Sequence, residues 1–174
     1  HHYIVDRLEG LIDGAEVISE ESAEERGFAA PTSDRFWLVD PLDGTKEFIN
    51  ERDEFTVNIA LIDDGRPIMG VVVAPALGKT WAGSPDGAFM QDVGGENRRD
   101  IRVREVPTSG LTVTASRSHA DPAALEALLS GQKVNEVINA GSSLKFCRVA
   151  EGAADLYQRQ GRTMEWDTAA GQAV

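Results

Sequence analysis

Asp40 and Asp43 stand three residues apart across Pro41, at the end of an apolar stretch and immediately before Gly44 and Thr45. Two carboxylates on one tight turn, with the Leu42 carbonyl between them facing inward, offer hard oxygen donors of the kind that Mg²⁺ takes. The amides of Gly44 and Thr45, at the start of a helical turn, would face an anion such as phosphate. The same four residues also suit an Asp-initiated turn and a helix cap, the commoner use of such a pattern. Lys145 and Arg159 are the right types for phosphate, one a point charge and the other a planar fork. Each type more often serves as an exposed helix position or a surface ion pair. The formal charge of -12, from 29 acidic and 17 basic residues, opposes a nucleic-acid polymer or an anionic membrane as partner. A small phosphate ester stays compatible with it, because bound divalent cations invert the local field.

Periodicity and turn chemistry predict the elements that hold these residues. Ile4, Val5, Leu8, Leu11 and Ile12 have helical spacing, residues 15–19 read as a strand, and the charged stretch from there to residue 34 reads as an exposed loop. Residues 36–39 form a second strand. Segments 55–63 and 67–74 flank Asp64-Gly65, a hairpin signal, and shorter strands follow near 79–82, 88–91 and 100–103. Past residues 107–110 the texture becomes strand (111–115), helix (122–129), strand (133–138), helix (142–151), short strand (154–158) and a helix starting at Asp167. The expected organisation is an N-terminal, mostly antiparallel sheet lobe at 1–107 and a C-terminal α/β lobe at 108–174, with the site between them.

The run from Trp37 to Phe48 resembles the pattern W-x-[VI]-D-P-[LI]-D-G-T-x-x-F of the inositol monophosphatase superfamily. Ser19-Glu20-Glu21-Ser22 resembles its G/S-E-E-S turn, and Trp166-Asp167-Thr168-Ala169-Ala170-Gly171 its W-D-x-A-A-G helix start. Lys46-Glu47-Phe48, the segment from Glu54 to Ile62, Ser116-Arg117-Ser118-His119, and Gly141-Ser142-Ser143-Leu144-Lys145-Phe146-Cys147 are similar to the bisphosphate-nucleotidase branch, CysQ type. The resemblance covers essentially the whole chain. It implies a layered, alternating α/β sandwich of the sugar-phosphatase type and an Mg²⁺-dependent phosphomonoesterase with two or three ions. Glu21, Asp40, Asp43 and Asp167 become side-chain ligands, Leu42 a carbonyl ligand, and Glu20 a residue behind them. Asp40, Asp43 and Thr45 carry the reaction, with Thr45 orienting the attacking water. Gly44, Thr45, Ser142, Lys145, Arg159 and Asp167 bind the substrate, and His119 is a weaker substrate-side candidate.

The reaction so implied is hydrolysis of adenosine 3',5'-bisphosphate to AMP and phosphate, with lithium sensitivity and a place in sulfur metabolism. The alternatives are an inositol-phosphate phosphatase or a silent phosphonucleotide-binding protein. Relatives carry an upstream segment whose Asp partners the threonine at Thr45, and a longer C-terminal part, so the resemblance implies a longer protein. An apolar fraction of 41% and a charged fraction of 26% are those of a globular chain. The single Cys147, the lack of an N-x-[ST] acceptor and of any apolar run near ~20 residues point to the cytoplasm, with membrane-peripheral association implied by the resemblance alone. Oligomeric state is left open.

Overall fold

The computed structural model describes residues 1–27, 30–117, 122–159 and 161–174. Its first sheet has seven strands in chain order: β1 (Glu16–Ser19), β2 (Arg35–Asp43), β3 (Thr56–Asp63), β4 (Arg66–Ala74), β5 (Lys79–Ser84), β6 (Gly87–Asp92) and β7 (Arg99–Ile101). Only β1 and β2 pair in parallel; every later pair in this sheet is antiparallel. The β3–β4 hairpin turns at Asp64 and Gly65, both at positive φ (50 and 70°), as a two-residue Asp-Gly hairpin requires. A second, three-stranded parallel sheet has the order β10 (Leu156–Tyr157), β8 (Leu111–Ser116), β9 (Val134–Ala140).

Side-chain alternation along β2 gives the first sheet two apolar faces. Trp37 and Val39 join Leu61 and Leu8, the last on α1 (His2–Leu8), while Leu38 joins Ala60, Val72 and Trp81 on the opposite face. That second face is covered by α5 (Leu144–Ala150) and α6 (Glu165–Ala173), through Leu144, Cys147, Trp166 and Ala170. Helix α5 also lies against β8, whose other face packs Val113 and Ala115 on Leu125 of α4 (Pro122–Leu128). The layers therefore alternate helix, sheet, helices, sheet, helix, which is the sandwich expected. No described helix is long and apolar enough to cross a membrane.

Two glycines decide how closely α6 approaches the sheet. Gly70 and Gly83 are cross-strand partners, and a Cβ on them would stand 2.2 Å from the Ala170 carbonyl oxygen and 2.3 Å from that of Ala173. Bare backbone at both positions lets the helix rest directly on β4 and β5, so a segment from beyond residue 107 belongs to the layer of the first sheet.

One element differs from expectation. Residues 20–26, read as exposed loop, form α2 (Glu20–Arg26). Ser19 caps it by accepting on its Oγ from the Ser22 amide at 3.2 Å, while Ser22 Oγ accepts in return from the Ser19 amide at 3.0 Å, and Glu20 and Glu21 occupy the first turn. This is a capping box built with Ser at the third position in place of Glu, followed by acids favoured at a helix start.

Candidate metal and substrate site

Strand β2 pairs with β3 in regular register down to Asp40, opposite Asn58; the ladder then shifts and resumes with Asp43 opposite Thr56. Pro41 cannot donate to the ladder, and the irregularity it creates gathers Asp40, Leu42 and Asp43 in one bend. Asp40 is 2% exposed, and its Oδ1 accepts from the Leu42 amide at 2.9 Å. The parallel register ends with Ser19 beside Val39, so Glu20 comes next to Asp40, close enough for its charge to act on the Asp40 carboxyl.

That placement puts Glu20, not Glu21, beside Asp40. Glu21 lies roughly 100° further round α2 and turns to His1, whose Nδ1 stands 3.3 Å from Glu21 Oε2. Glu20 was expected behind the ligands, yet it is the residue brought against Asp40. Sequence order alone could not choose between adjacent acids; the strand register does.

At Asp40 and Glu20 the main charged influences are other acids. Burial, then the negative charges of Asp43 and Glu20, push the Asp40 carboxyl up to about 9. Glu20 is raised by burial and by Glu21 and Asp167, against the lowering bond to Asp40; Asp167 is raised by burial and by Asp43. Residues from three distant parts of the chain thus feel one another's charge. Among the described residues no three acid, imidazole or thiol groups stand in ready-made coordination geometry. The donor set nevertheless fits a hard cation: the buried Asp40 and the half-buried Glu20, Asp43 and Asp167 offer only oxygen, and the charges of the last three raise the Asp40 carboxyl.

Asp43 and Asp167 are each anchored by one oxygen. Asp43 Oδ2 accepts from the Ser143 amide and Ser143 Oγ, both at 2.6 Å, and more distantly from Asn58 Nδ2 at 3.2 Å and Thr56 Oγ1 at 3.3 Å. Asp167 Oδ2 accepts from the Met164 amide at 3.0 Å, as the third residue of α6. Thr45, which opens α3 (Thr45–Ile49), donates from Oγ1 to the Leu42 carbonyl at 3.3 Å.

A cleft of about 180 Å³ opens beside this bend, and Asp43, Gly44, Thr45, Ser142, Lys145, Arg159 and Asp167 all line it. Every residue expected to bind substrate is therefore at one cleft, with the exception of His119, which lies outside the described residues. Gly44 sits at φ +88°, where a Cβ would also stand 3.2 Å from the Glu54 carbonyl oxygen. Ser142 holds φ 43°, a conformation uncommon for a residue with a side chain. A larger, apolar cleft of about 640 Å³, bounded by Ile18, Phe36, Leu38 and Met164, contains none of these residues. Size does not select the site; the polar groups do.

Lys145 differs from the mobile charge that its residue type suggests. It is 1% exposed, donates to the carbonyls of Ser142 and, at 3.3 Å, Ala140, and stands 5.4 Å over the Tyr157 ring. Burial lowers its ammonium to about 8, with Asp43 opposing the shift and Arg159 adding to it. Arg159 is the exposed member, donating to the Arg162 carbonyl at 3.0 Å and to Tyr157. Ser143, Asn58 and Thr56 escaped the sequence reading, although a buried Asn in the apolar strand 56–63 was a usable signal.

Residues 1–174 match the Inositol monophosphatase family throughout, so the chain belongs to that family, one of metal-dependent phosphatases. Within it, the chain is 47% identical over 175 residues to the 3'(2'),5'-bisphosphate nucleotidase CysQ of Escherichia coli (strain K12), covering 100% of this chain and 68% of the relative. It is 32% identical to the CysQ nucleotidase of Haemophilus influenzae, covering 99% and 64%. Among solved structures it is similar to CysQ from Bacteroides thetaiotaomicron, with TM-score 0.82 and 37% identity over 99% of this chain and 69% of that one. It is also similar to Mycobacterium tuberculosis SuhB, with TM-score 0.76 and 26% identity over 99% and 67%.

Proposed function

We propose that the protein is a magnesium-dependent 3'(2'),5'-bisphosphate nucleotidase that hydrolyses adenosine 3',5'-bisphosphate to AMP and phosphate. The observation that carries this reading is the 47% identity to a named bisphosphate nucleotidase across the entire chain. Glu20, Asp40, Asp43, Asp167 and the Leu42 carbonyl would hold two or three Mg²⁺ ions, with Glu20 in the place first expected of Glu21. Bound ions supply Lewis-acid polarisation of the phosphate and an acidified water.

The chain's own groups do the rest. The Thr45 hydroxyl, which donates to the Leu42 carbonyl, would orient the attacking water. Gly44 and Ser142 present polar groups to the phosphate being cleaved, and Arg159 reaches a second phosphate or the ribose from the open side. Lys145 acts from its buried position, as a fixed positive charge and by holding the Ser142 carbonyl. Lithium inhibition, a role in sulfur metabolism and a cytoplasmic location belong to the same reading. The test is phosphate release from adenosine 3',5'-bisphosphate and from inositol 1-phosphate, with Mg²⁺ and with EDTA. Preference for the nucleotide and loss of turnover in EDTA are expected; equal turnover on inositol 1-phosphate would place the chain in another branch of its family.

A further inference from the structure

Asp43 lies on the first sheet, yet its two shortest hydrogen bonds come from a residue 100 positions later, Ser143 at the head of α5. Among the described residues, every hydrogen bond to Asp43 falls on Oδ2 and none on Oδ1. A carboxylate oxygen has two lone pairs, so the two bonds at 2.6 Å from the Ser143 N–H and O–H dominate. Those from Asn58 and Thr56, at 3.2 and 3.3 Å, are secondary.

The Ser143 hydroxyl has one proton and two acceptors in range, Asp43 Oδ2 at 2.6 Å and the Asp167 carbonyl at 2.9 Å. The carboxylate is the closer and the stronger acceptor. Asn58 Nδ2 donates to Ser143 Oγ at 2.8 Å and occupies the acceptor side of the hydroxyl, which leaves its proton to Asp43. Asn58 itself is held in this orientation at a cost, because its Oδ1 is buried without a hydrogen-bond partner among the described residues. Two acceptors that both need a donor account for an amide that leaves its own carbonyl unsatisfied. Ser143, Asn58 and Thr56 are each buried to within 1%.

We propose that Ser143, with Asn58 and Thr56, is a positioning brace that saturates Asp43 Oδ2 and so turns Asp43 Oδ1 toward the cation. The brace rests on the reading of Asp43 as a cation ligand. It also couples the first sheet to the helices packed on it: Ser142 lines the cleft, Ser143 holds the carboxylate, and the Asp167 carbonyl lies within reach of the same hydroxyl. The second layer of helices therefore sets the rotamer of a side chain on the first sheet. None of the three brace residues touches the reacting atoms.

The experiment titrates Mn²⁺, followed by electron paramagnetic resonance, into the protein and into S143A, T56V and D43N, alongside thermal melting and the Mg²⁺ dependence of phosphate release. Loss of an outer partner of a metal carboxylate typically lowers metal affinity about 10- to 100-fold. S143A is expected to fall in that range, with turnover recovering as Mg²⁺ is raised and little change in Tm. T56V, which removes a longer bond without changing shape, is expected to shift affinity less, and it carries the test if S143A does not fold. Wild-type Mn²⁺ affinity in the folded brace variants, with D43N impaired, would overturn the brace and leave the site reading standing. Wild-type affinity in D43N would instead overturn the reading of Asp43 as a ligand. A fall in Tm without a change in Mn²⁺ affinity would reduce the brace to a structural contact.

Discussion

The acids in the bend of β2 and the acids that fasten the second sheet are the same functional groups in opposite electrostatic settings. Asp155 has a fully buried side chain, but Arg104 grips it with two bonds at 2.8 and 2.9 Å and the Thr112 amide adds a third at 2.7 Å. Its carboxyl is held below the ordinary range, first by the bond from Arg104. Glu54 is likewise lowered, first by its bidentate pair with Arg117, and it accepts from the Gly141 amide. Asp40 is buried too, and its nearest influences are Asp43 and Glu20, so its carboxyl moves the other way. The chain supplies an internal cation where an acid only has to hold the fold together. At the β2 bend Asp40 has acids and no internal cation as its main charged influences, the arrangement that the proposed cation site would require and that a structural ion pair does not show.

The strongest way to break this contrast is D40N, which keeps the shape and the Leu42 bond while removing an ionisable carboxyl. Turnover is expected to fall by more than about a hundredfold, since a ligand matters at least as much as the outer partners whose loss costs 10- to 100-fold. In EDTA the same variant is expected to melt at a higher temperature than the wild type near neutral pH, because a carboxyl whose raised folded-state pKa costs stability there is gone. A lower Tm in EDTA would show that the acids at the bend are not in conflict.

Next in size is R104M, which strands the buried Asp155 carboxylate. A fall in Tm is expected, with turnover per folded molecule unchanged, the reverse of D40N. The pH dependence follows from the direction of the shift. Because the Asp155 pKa is depressed in the folded state, the stability it contributes is present above the ordinary carboxylate value and is lost as pH falls through the depressed one. Melting curves of the wild type below about pH 4 should therefore steepen in their loss of stability, and R104M should remove that part of the acid limb. An unchanged acid limb would show that the pair does not contribute.

The smallest effect is expected for R159A. Arg159 is exposed, and its charge reaches Asp167 and Lys145. A charge-assisted hydrogen bond to a ligand contributes about 1.5–3 kcal/mol, so KM for adenosine 3',5'-bisphosphate should rise about tenfold or more. KM for a simple phosphate monoester should change little. Equal changes for both substrates would remove Arg159 from recognition of the second phosphate or the sugar.

The sequence by itself determined what is local. The Asp-Gly hairpin, the strand running into Asp40-Pro41-Leu42-Asp43, the helix start at Asp167 and the change of texture after residue 107 all follow from periodicities and turn residues that act over a few positions. Helix α2 was missed because its cap is a serine pair and no apolar stripe marks it. Tertiary structure decided what depends on neighbours remote in the chain. The register of β1 on β2 brought Glu20, not Glu21, against Asp40; Gly70 and Gly83 let α6 rest on the first sheet with Asp167 at its start; packing of α5 buried Lys145 and laid Ser143 on Asp43. A side chain's type is written at its own position, but its exposure, its charge environment and the oxygen it presents are set by atoms that arrive from 20 to 130 residues away, and only packing brings them there.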